Sequence, residues 1–136
     1  IFIARSSHPI FKKPELSIAD FSQQEFVFRE PGSGTNDIVF QRFKEIGIDA
    51  KHLVNRVEMS SSESIKQYIQ HKDSIGILSK FAVKEEMESG KLAEVMNDRW
   101  AIARNLYLVH LHGEVSDLPK QFLRFLNREL KIFHNI

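Results

Sequence analysis

The chain has 136 residues, 42% hydrophobic and 27% charged, enough apolar material to bury a core and a length suited to one domain or slightly less. Its 19 basic and 18 acidic residues leave a net charge of +1, and no basic cluster stands out, which argues against a nucleic-acid or membrane surface on this piece. Cysteine is absent, excluding disulfides, thiolate zinc sites and a thiol nucleophile, and fitting a reducing cytoplasm.

Read in chain order, Ile1 to Ala4 is a strand of the buried type that begins without Met or a polar lead-in, so residue 1 is expected to be a cut in a longer chain. Glu25 to Arg29 is the next extended run. The spacing predicts a helix over Asn36 to Ile46, with Val39, Phe40, Phe43 and Ile46 inward and Gly47 as its terminator. A strand over Leu53 to Met59 leads into a helix over Ser62 to His71 with Ile65, Tyr68 and Ile69 inward, and Ser60 and Glu63 have capping-box spacing. Ser74 to Leu78 is a strand. Phe81 to Ser89, closed by Gly90, is a shorter helix, Leu92 to Val95 an edge strand, and Ala103 to His110 a further strand. The alternation of strands and helices predicts an α/β sheet with parallel neighbours and right-handed crossovers. Ser116 to Phe133 closes the chain as a helix whose apolar stripe, Leu118 to Phe133, is wider than that of a one-sided surface helix and calls for a covering partner. The longest apolar runs, Ile75 to Leu78 and Leu106 to Val109, are far short of the roughly 20 residues of a membrane helix, and the N-terminus has no signal-peptide pattern.

The chemistry concentrates at two places where an extended run turns into a helix start. Gly32-Ser33-Gly34-Thr35 follows one strand and Ser60-Ser61-Ser62-Glu63-Ser64 follows another. Helix N-termini carry unpaired N–H donors and a partial positive charge, so two of them side by side, with hydroxyls, form a socket for a small anionic or polar ligand. The first loop lacks the Lys-Ser/Thr of a phosphate-binding P-loop and the third glycine of a dinucleotide fingerprint, and a tight turn with Thr35 as a helix cap explains it equally well. Ser33 has no base in a fixed motif around it, which disfavours hydrolysis. His110 and His112, two residues apart, could share one side of a strand, but no third metal ligand is apparent. Trp100 and the set Phe26, Phe28, Phe40 and Phe43 read as core, not as a cofactor stack.

At this point the residues resemble the effector-binding region of LysR-type transcriptional regulators. The resemblance lies in order along the chain: an opening strand with Ser7-His8-Pro9, Leu16 to Phe21, Phe26-Val27-Phe28-Arg29-Glu30, Gly32-Ser33-Gly34-Thr35, Glu58 with Ser61-Ser62-Glu63-Ser64-Ile65-Lys66, Gly76-Ile77-Leu78-Ser79, Gly90-Lys91-Leu92, Ile102 to Val109, and Leu118-Pro119 to Leu126. It implies an α/β fold like the type II periplasmic binding proteins, with a mixed, mainly parallel sheet flanked by helices. Residues 1–112 would be the second lobe. Residues 113–136 would be a helix of the first lobe, whose remainder is absent.

The same resemblance implies a small anionic or zwitterionic effector held by Gly32, Ser33, Gly34, Thr35, Ser60 and Ser61, with Arg104 as a further contact. It implies a cytoplasmic dimer or tetramer, no cofactor, no catalysis, and DNA contact only through a winged helix-turn-helix absent from this chain. A transport-type solute-binding protein of the same fold and a pure oligomerisation module are the rival readings.

Overall fold

The computed structural model describes residues 1–53, 55–95, 101–103, 107, 109 and 117–130. The chain divides into two compact units, Ile1–Arg104 and Asn105–Ile136. The first contains strands β1 (Phe2–Arg5), β2 (Glu25–Arg29), β3 (Asn55–Met59), β4 (Ser74–Ile77) and β5 (Leu92–Glu94), and helices α1 (Ile18–Ser22), α2 (Gly34–Glu45), α3 (Ser62–His71) and α4 (Lys84–Glu88). Helix α5 (Asp117–Leu130) belongs to the second unit.

The five strands form one sheet in the order β3-β2-β4-β1-β5. β2 runs parallel to β3 and β4, as the alternation of strands and helices predicts. β1 runs antiparallel to both β4 and β5, so the sheet is mixed. Alternation along β2 sends Phe26 and Phe28 to one face and Val27 to the other, and each face gains its own layer. On one side Phe2, Phe21, Phe26, Phe28, Val39 and Phe43 join in a core beneath α1 and α2. On the other, Ile3 and Val27 pack under Ile65 and Ile69 of α3. Gly76 of β4 lies directly beneath α3: a Cβ there would sit 3.0 Å from Ile65 Cγ2 and 3.1 Å from Ile69 Cδ1, so a strand residue without a side chain lets the helix settle onto the sheet.

Several element bounds differ from the sequence reading. α2 begins at Gly34 and not Asn36, because Ser33 already holds the N-cap conformation. The predicted capping box does not form: Ser61 is the cap of α3, its Oγ accepts the Ser64 N–H at 3.0 Å, and Glu63 turns to Lys66 at 2.7 Å. The helix expected over Phe81 to Ser89 is a 3-10 turn, Lys80–Val83, followed by the short α4. Helix α1 went unread, because five residues cannot display an amphipathic period. It is held by a capping box between Ser17 and Asp20, whose carboxyl falls to about 2 through its bonds to Lys13 and Ser17. Most of the strand predicted over Ala103 to His110 lies outside the described residues, as do Trp100, His110 and His112. In α5, Leu118, Phe122, Leu123, Phe125 and Leu126 recur at helical spacing over a broad side of the helix, as the sequence suggests; Ile132 and Phe133 lie outside the described residues.

His8 gives the fold a pH dependence. The ring is 1% exposed, and its Nδ1 accepts the Ile10 N–H at 3.0 Å as the N-cap of the Pro9–Lys12 turn. Burial disfavours the imidazolium and lowers the pKa below 6.5, with Asp73 opposing and Arg5 reinforcing that shift. The unfolded chain therefore takes up the proton first. Stability is fully present above the ordinary histidine pKa and declines as pH falls below it. We expect the urea midpoint to drop between pH 7 and pH 5.5, and His8→Asn, which keeps a cap acceptor but does not titrate there, to flatten that slope. An unchanged slope in the variant would assign the dependence elsewhere.

Candidate functional site at the carboxyl edge of the sheet

Parallel β2 and β3 end together, with Arg29 opposite Met59. The turn 30–33 and the serines 60 and 61 therefore leave from neighbouring strands, spaced about 4.8 Å as in any sheet. Gly32 has φ +86°, with nothing within 4 Å of where a Cβ would stand, so its requirement is the left-handed backbone and not space. This turn aims the chain back over the sheet edge into α2. Ser33 then occupies the N-cap without spending its hydroxyl on a cap bond; its carbonyl accepts the Asn36 N–H at 2.9 Å. Thr35, the helix cap of the alternative tight-turn reading, is the second residue of the helix and half-buried.

The residue that fixes this loop is Asn36, which sequence reasoning treated only as the start of a helix. It is 6% exposed; its Nδ2 donates to the carbonyls of Arg29 at 2.6 Å and Glu30 at 3.2 Å, and its Oδ1 accepts the Arg29 N–H at 3.2 Å. One side chain thus ties the last residue of β2 to the first turn of α2. The available signal was an amide, able to donate and accept together, one turn after the glycine.

Across from this loop, Ser60 is exposed and Ser61 half-buried. The Ser61 hydroxyl is engaged with Ser64 Oγ at 2.9 Å as well as with its N–H, so it is the more structural of the two. The edge presents the first turns of α2 and α3 with hydroxyls beside them. Unpaired N–H groups and hydroxyls of this kind bind an oxyanion through neutral donors.

Charged groups around the edge are largely matched. Arg29 holds Glu30 in a bidentate pair at 2.7 and 2.8 Å, which pulls the Glu30 carboxyl down to about 2. Arg56 pairs with Glu58 at 3.1 Å and lies over the rings of Phe28 and Phe40, 5.1 Å from each centroid. Lys66, nearly buried, is gripped by Glu63 at 2.7 Å and Glu86 at 2.9 Å, which raises its pKa. Thus Gly32, Ser33, Gly34, Thr35, Ser60 and Ser61 are brought to one edge, while Arg104 lies outside the described residues. A separate open groove of about 580 Å³ runs along α3 past Met59, Ser64, Tyr68 and His71, and none of those six residues lines it. Among the described residues no group of three or more His, Asp or Glu side chains is arranged to hold a metal, and no helix is long and apolar enough to cross a membrane.

The five-stranded mixed sheet with helices on both faces, and ligand-type loops at its carboxyl edge, defines the class: a regulatory effector-binding domain of the type II periplasmic-binding-like fold. The family model of the LysR substrate binding domain matches residues 1–131, and the chain belongs to that family. Among its relatives is the RuBisCO operon transcriptional regulator of Acidithiobacillus ferrooxidans, 30% identical over 127 residues, 93% of this chain and 40% of the relative. The HTH-type transcriptional regulator CbbR of Rhodospirillum rubrum is 31% identical, with 93% and 41% of the two chains covered. The chain thus spans about two fifths of the length of these relatives. The regulatory domain of Synechocystis CcmR, solved in complex with 2-PG, superposes with TM-score 0.75 at 26% identity, covering 98% of this chain and 63% of that one. The effector binding domain of QuiR in complex with shikimate matches at TM-score 0.62 and 17% identity, a likeness of fold.

Proposed function

We propose that this chain is the sensory part of a LysR-type transcriptional regulator. It binds a small anionic or zwitterionic metabolite through Gly32, Ser33, Gly34, Thr35, Ser60 and Ser61, with Arg104 as a further contact. The observation that carries this reading is the convergence of two hydroxyl-bearing helix starts at the carboxyl ends of adjacent parallel strands, in a chain of this family. In open α/β sheets that edge is where ligands bind. The CcmR domain's complex with 2-PG supports an effector of comparable size.

In this reading residues 1–112 form one lobe and 113–136 contribute a helix to the other. The protein acts in the cytoplasm as a dimer or tetramer, performs no catalysis, and reaches DNA through a separate domain. Effector binding shifts the populations of two lobe or subunit arrangements.

The test is thermal stabilisation of the chain by 2-PG and by other small anions, which must grow with concentration as linkage requires. Thr35→Ala and Ser60→Ala should each weaken binding by about 1 kcal/mol, the value of one hydrogen bond to an anion at a partly exposed site, with the melting temperature of the free protein little changed. Ser61→Ala should weaken binding and also lower the free protein's stability by about 1 kcal/mol, because it removes a helix cap. Unaltered affinity in both Thr35→Ala and Ser60→Ala would remove this site assignment.

A further inference from the structure

We draw no further inference here: the strongest candidate, the open groove along α3 lined by Met59, Tyr68 and His71, is an unpartnered surface, and nothing in the structure shows what covers it.

Discussion

Asn36→Ala should destabilise the first unit by about 2–4 kcal/mol, because it strands the buried partners of one side chain without replacements. The carbonyl of Arg29 loses a 2.6 Å donor, the carbonyl of Glu30 loses a second at 3.2 Å, and the Arg29 N–H loses its acceptor. An amide supplies both kinds of partner at once, so Asn36→Asp should be no rescue: its carboxylate keeps the acceptor but faces two carbonyl oxygens. The measurement is a denaturant midpoint for the three proteins with the slope held in common. The loop also positions Ser33 and Thr35, so the thermal response to anions should vanish in both variants even well below their melting temperatures. A midpoint within experimental error of the parent would mean that water replaces the side chain and that Asn36 does not order the loop.

Phe43→Ala should be costlier still, by about 3–5 kcal/mol, the range for removing a large aromatic from a packed core. Phe43 is fully buried on α2 and meets Phe2, Phe21, Phe26 and Phe28 at centroid distances of 5.8, 6.2, 5.7 and 6.4 Å. The ring of Phe2 is stacked on it with an interplanar angle of 6°, while the contacts to Phe21, Phe26 and Phe28 are edge-on. These five rings come from α1, α2, β1 and β2, and no neighbour can swing into the void without losing its own contacts. Phe43→Leu should recover about half of the loss by refilling volume, though not ring geometry. Midpoints for Phe43→Leu and Phe43→Ala that coincide would show that the cluster collapses freely around the gap.

The aromatic side of this core was legible because Val39 and Phe43 repeat at helical spacing and Phe26 and Phe28 alternate as strand residues. Each pattern reports burial directly. The two candidate loops were legible for a related reason: glycine and serine cluster most densely where strand gives way to helix. The hydrogen bonds inside them were not. Ser60 and Ser61 both stand just before a helix, and nothing local decides which one caps it; the path of the chain out of β3 does. Asn36 escaped notice because its partners are backbone groups, which every residue possesses. The antiparallel setting of β1 was hidden for a different reason. A buried strand has the same composition in either direction, and direction is chosen by partners far along the chain.

That last feature governs how the molecule assembles. β2, α2, β3, α3 and β4 are successive in sequence, with β3 and β4 both pairing with β2, but β1 sits between β4 and β5, and the paired residues Ile1 and Leu78 are 77 positions apart. During synthesis β1 therefore waits for β4 to emerge before it meets a strand it pairs with here, and its insertion closes a long loop. The conformational entropy of that closure precedes any gain from pairing. β1 is the keystone of this sheet: β5 joins it through β1, and until β1 docks, β4 has an open flank where an apolar strand from elsewhere competes for the same slot.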